Sequence, residues 1–138
     1  MKKLFTLCLM VLTFASFAQY PSGFVTKTMT GGTLTNSGTT YVNQSISQLY
    51  EVCTFQPVVT KLSGTAGGTV TLQGSNDGTN FVTVNSSYAS ATTMSVTNVT
   101  TSTAILTVTS APYKYYRLSY TGSGTMSCTL KGTISASN

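Results

Sequence analysis

The feature that most constrains this chain is a two-residue alternation that recurs along it and never yields to a sustained 3.6-residue period. It is clearest over 125–134. There Met126, Cys128, Leu130 and Ile134 fall on one side, and Thr125, Ser127, Thr129, Lys131 and Thr133 on the other. Successive side chains of a strand point to opposite faces, so this segment reads as a strand with one face on a core. Gly132 takes an inward place without a side chain and predicts a bend or bulge. The stretch 113–121 alternates in the same way, with Tyr116, Leu118 and Tyr120 opposite Tyr115, Arg117 and Ser119. Further strands are predicted over 24–30, 41–43, 48–54, 58–63, 69–74, 81–84 and 103–109.

Glycine punctuates these segments. Gly122-Ser123-Gly124 predicts a hairpin joining 113–121 to 125–134, and Gly64, Gly67 and Gly68 predict a second joining 58–63 to 69–74. An echo links the two, since Lys61-Leu62-Ser63 and Thr71-Leu72-Gln73-Gly74 are matched by Arg117-Leu118-Ser119 and Thr129-Leu130-Lys131-Gly132. An ancient duplication or shared hairpin chemistry accounts for it, and the pair is too little for a repeat array. Short strands separated by Gly-rich turns predict an all-β fold. The expectation is an antiparallel β-sandwich, jelly-roll or Ig-like, of about eight to ten strands.

Composition supports an ordered β protein and narrows its chemistry. Ser and Thr make up about a third of the 138 residues, yet Val, Ile, Tyr and Phe are also abundant, unlike a disordered chain. Only 7% of residues are charged, and histidine is absent. That excludes a histidine-based triad, a histidine metal ligand and imidazole acid–base chemistry. Glu51 and Asp77 are the only carboxylates, and no Ser-x-x-Lys spacing appears beyond the N-terminal segment. A non-enzymatic protein without cofactor or metal is expected.

The first eighteen residues have the form of a leader. Lys2 and Lys3 precede the mostly apolar run 4–17, and Ser16 and Ala18 supply small residues for a signal peptidase. Residues 1–18 are therefore read as a signal peptide, or as a hydrophobic anchor if retained, with membrane contact only in the second case. A single domain then spans 19–138. Five scattered basic residues remain, Lys27, Lys61, Lys114, Arg117 and Lys131, with no run to follow a phosphate backbone, so no nucleic-acid partner is expected. Two cysteines remain as well, Cys53 and Cys128. In an exported chain such a pair reads as one disulfide closing a loop of about 75 residues, against the alternative of two separate buried thiols.

Two constellations bear on binding. Ser75-Asn76-Asp77-Gly78-Thr79-Asn80 has oxygen atoms suited to calcium, but a single carboxylate favours an Asx-type turn. On 113–121, Tyr113, Tyr115 and Arg117 form an outward group suited to stacking on sugar rings or anchoring an interface, with ordinary cross-strand packing as the alternative. The outward Thr faces are uncharged and β-forming, and they lack the lysines that guard natural sheet edges. Sheet edges and Thr-rich faces are both expected to pack against neighbouring subunits.

Three stretches together resemble a known group: PVVTKLSGT over 57–65, TVTLQGSNDGTNFVTV over 69–84 and PYKYYRLSYTGSGTMSCTLK over 112–131. They are similar to small β-sandwich virion proteins (decoration, spike or tail-associated) of phages infecting Bacteroidota. The resemblance covers residues 57–131 and implies a structural role without catalytic residues. The expected partners are protein subunits of the same assembly, either further copies or capsid and tail proteins. The expected place is exported, extracellular or on the virion surface. The alternative is a secreted module of a Bacteroidota bacterium that binds surface glycans or adheres.

Overall fold

The computed structural model describes residues 25–46 and 50–137. The leader assigned to 1–18 lies outside the described residues. Ten strands follow in order: β1 (Val25–Thr35), β2 (Thr39–Ser45), β3 (Val52–Gly64), β4 (Gly68–Ser75), β5 (Val82–Thr83), β6 (Thr93–Val96), β7 (Thr101–Thr103), β8 (Leu106–Thr109), β9 (Tyr115–Gly122) and β10 (Met126–Ser137). They form two antiparallel sheets. The first runs β1-β10-β3, with β7 and β8 sharing the far side of β3. The second runs β2-β9-β4, with β5 and β6 sharing the far side of β4.

This order decides between the two expected architectures. The chain is folded back on itself, so that β1 pairs with β10, β2 with β9, β3 with β7 and β8, and β4 with β5 and β6. Each of the first four strands also enters the sheet opposite to its predecessor. That is the double Greek key of a jelly roll, not the ABED/CFG arrangement of an Ig domain. The two Gly-rich connections are accordingly not hairpins. β3 and β4 lie in different sheets, as do β9 and β10, and each connection crosses between the sheets. They bond to one another instead: Thr65 N–H donates to Thr125 O at 2.9 Å and Ser123 N–H to Gly67 O at 3.1 Å.

β3 is also continuous through Pro57, where the sequence suggested two strands. Proline has no N–H to give a neighbouring strand, and a central proline demands a gap. The gap is present. β8 pairs with Val52–Phe55 and β7 with Val58–Thr60, leaving Gln56 and Pro57 unpaired on that side. The Thr103 hydroxyl closes it by donating to Pro57 O at 2.9 Å. The predicted strand over 103–109 is thus two strands, and β6 was not foreseen.

The alternation of β9 and β10 places the expected side chains in the core. Tyr116, Leu118, Tyr120, Cys128 and Leu130 are fully buried between the sheets with Phe55, Leu72, Leu106 and Val108. The Phe55 and Tyr116 rings meet with centroids 5.1 Å apart. The buried Tyr120 hydroxyl donates to Gly67 O at 2.9 Å. Among the described residues, the hydroxyl of Ser102 is buried without a partner.

The expected disulfide is not formed. Cys53 stands opposite Ala136 and Cys128 opposite Lys61, so the two lie eight residues apart along the β3–β10 ladder. At about 3.3 Å per residue that is roughly 26 Å, against the limit of about 7 Å between Cα atoms of a disulfide. Both are free thiols inside the core. Burial pushes the Cys53 thiol up to about 11.

The sheet edges, expected to share in the packing, are instead blunted. β5, β6, β7 and β8 have only two to four residues each. The outer side of β8 is occupied by the backbone of residues 88–90, with Ser90 N–H on Thr107 O at 2.9 Å and Thr109 N–H on Tyr88 O at 2.8 Å. On the opposite margin, β1 shifts register between Thr30 and Thr33. A side chain at Gly31, within that shift, would strike Val42 of β2, so the glycine lets one sheet edge lie against the other.

Candidate functional site

The outer face of the second sheet collects the chain's most distinctive exposed chemistry. Strand register brings Asn43, Arg117 and Gln73 into one row and Ser45, Tyr115 and Ser75 into the next. Arg117 is held from three directions. Its Nε donates to Gln73 Oε1 at 2.6 Å, and its guanidinium lies 4.4 Å from the Tyr41 ring centroid and 4.2 Å from that of Phe81. A guanidinium flanked by two aromatic faces gains cation–π attraction from each. Such a cation has less freedom to seek an anion.

The loop after β4 forms one end of this face. Ser75 Oγ donates to Asp77 Oδ1 at 2.8 Å, and the N–H groups of Thr79 and Asn80 donate to the same oxygen at 2.8 Å each. Asn80 Nδ2 reaches Oδ2 at 2.7 Å. Gly78 takes a positive φ of 74°, a conformation that suits glycine. The Asx-type turn expected from the sequence is therefore present. Donation by Asn80 and Thr79 N–H, then by the side chains of Asn80 and Ser75, holds the Asp77 carboxyl well below the usual carboxylate range.

Between this loop and β2 runs an open groove of about 370 Å³. Asn43, Ser45, Asp77, Gly78, Phe81 and Tyr115 contribute to its lining. Gly78 lies against the Tyr115 ring, so that a side chain there would touch three ring carbons at 3.5 Å.

The three candidate residues thus separate. Tyr115 and Arg117 share this outer face, whereas Tyr113 turns toward the core. Its ring sits over the bare Cα of Gly74 and meets Tyr116 edge-on, centroids 5.9 Å apart. Tyr113 precedes β9, so the strand's alternation does not govern it. Tyr41, Phe81, Gln73 and Asn43 were not singled out from the sequence. The alternation of β2 places Tyr41 and Asn43 on one side, but only the strand order shows that β2 and β4 flank β9. Among the described residues no cluster of three or more histidine, cysteine or acidic side chains is placed to hold a metal.

No protein-family model and no curated protein matches the chain. Among solved structures, the crystal structure of PBSX exported protein XepA is similar in fold, with a TM-score of 0.56 at 12% sequence identity. The match covers 82% of this chain and 37% of that one, so this chain spans little more than a third of XepA's length.

Proposed function

We propose that the chain is a non-enzymatic structural protein of a phage virion or an extracellular assembly, which packs against its neighbours through the faces of the sandwich. The observation that carries this reading is the combination of blunted edges with two broad, nearly uncharged faces. Jelly rolls build viral capsid domains among others, and face packing leaves no strand edge to run on into fibres. The likeness in fold to an exported PBSX protein agrees with a phage-associated, exported role. The three stretches that carry the resemblance draw on β3, β4, β9 and β10, the central strands of both sheets, and on the short β5. Purified virions or surface filaments are expected to contain the protein in stoichiometric amount. Recovery only as a soluble monomer from culture supernatant overturns the reading.

One observation favours a second reading, a secreted adhesive module that binds a surface glycan. The groove beside Tyr115 is a concave site that assembly through flat faces does not require.

A further inference from the structure

We infer that the groove between β2 and the Asp77 loop is a binding site for an uncharged saccharide unit. This deepens the second reading above and rests on it. Four observations converge. First, the groove combines polar and aromatic lining: Asn43, Ser45 and Asp77 contribute to it together with Phe81 and Tyr115. Sugars present both surfaces that such a site needs, hydroxyl groups at the ring edge and C–H groups on the ring face.

Second, the lining holds no cation. The nearby guanidinium of Arg117 is committed to Gln73, Tyr41 and Phe81. The ionised group in the lining is the Asp77 carboxylate, which repels phosphate, sulfate and uronate groups. A polyanionic ligand is therefore disfavoured although the chain as a whole is basic.

Third, the acceptor is prepared before a ligand arrives. Three donors hold Asp77 Oδ1, while Oδ2 accepts from Asn80 Nδ2 and keeps capacity for a hydroxyl. Oriented, ionised acceptors form the stronger hydrogen bonds, and a preformed loop spends little entropy on binding. Fourth, the volume of about 370 Å³ lies at the small end of the range of ligand pockets, roughly 300–1,000 Å³. That suits one or two sugar rings and excludes a wrapped polymer.

The test is an array of neutral hexose and N-acetylhexosamine oligosaccharides, with heparin as polyanion, probed with the full chain. At least one neutral oligosaccharide is expected to bind, with affinity falling at least about tenfold in both Tyr115→Ala and Asn43→Ala. Lys131→Ala, on the opposite face, is expected to bind as the wild type does. Unfolding midpoints of all three variants accompany the array, so that loss of fold is separated from loss of contact. Binding to neutral sugars that survives both groove substitutions overturns the site. Binding to heparin alone overturns the ligand class but leaves an adhesive role standing. Absence of binding to every glycan overturns this inference and the second reading together, without touching the assembly role tested on virions.

Discussion

The two sheets are alike on their inner faces and unlike on their outer ones. Inside, Leu72 on β4 lies across from Leu118, and Leu130 on β10 across from Val59; all are buried. Two residues on, each strand carries a buried glycine, Gly74 opposite Tyr116 and Gly132 opposite Pro57. The segments Thr71–Gly74 and Thr129–Gly132 that echo in sequence thus fill equivalent places at the centres of the two sheets. Outside, the likeness ends. The first sheet presents rows such as Thr33, Thr129, Thr60 and Thr101, four threonines across four strands. The equivalent ground on the second sheet holds Asn43, Arg117 and Gln73, with Tyr41 and Phe81 closing on the guanidinium. The sandwich needs only the inner pattern. The outer faces are free to diverge, and that of the second sheet carries side chains that bind each other in a fixed geometry.

The largest effects should fall where the sheets agree. Leu72→Ala and Leu130→Ala are each expected to cost about 2–5 kcal/mol in urea unfolding. Values differing by more than half would show that the two centres are not equivalent. The paired glycines should separate next. A methyl group at Gly74 would drive into the rigid Tyr113 ring, whereas at Gly132 it would meet the mobile ends of Leu118 and Met29. Gly74→Ala is expected to cost about 1–3 kcal/mol and Gly132→Ala less than about 1. A reversed order would move the tighter packing to the first sheet.

On the outer faces the contrast becomes functional. Arg117→Ala removes two ring contacts and a hydrogen bond and should cost about 1–2 kcal/mol. Lys131→Ala should stay within about 0.5 of wild type. Equal effects would mean that the Arg117 cluster adds nothing beyond an ordinary surface. The smallest effect is a pH dependence. The folded carboxyl of Asp77 ionises below its unfolded value of about 3.9, so its contribution is complete above that pH and is lost as pH falls toward the folded value. The NMR shifts of the Thr79 and Asn80 amides, which donate to this carboxylate, should therefore hold through about pH 4 and move only in stronger acid. Asp77→Asn should abolish that transition.

Much of the inner architecture was legible because it depends on a local rule. Alternation alone assigned Tyr116, Leu118, Tyr120, Cys128 and Leu130 to the core. It failed where non-local pairing decides. A Gly-rich link reads the same whether it turns a hairpin or crosses between sheets, and both of these cross. Pro57 looked like a strand break because nothing local shows that β7 and β8 leave a gap for it. Cys53 and Cys128 looked like partners because cysteine counting carries no distance. At the candidate site, Tyr115 and Arg117 were legible from β9, but their neighbours come from β2, β4 and the loop beyond it, which only the strand order unites.

The folded-back pairing has a kinetic consequence. β1 joins β10 through pairs such as Val25 with Ala136, and β2 joins β9 through Thr39 with Thr121. Little of either sheet can close until the second half of the chain has met the first. Such non-local topologies fold slowly, in roughly milliseconds to seconds. Until β9 and β10 arrive, β2, β3 and β4 lack their central neighbours. The nascent chain therefore has a window in which β4 can pair only with β5 and β6, and β3 only with β7 and β8, while neither sheet is closed.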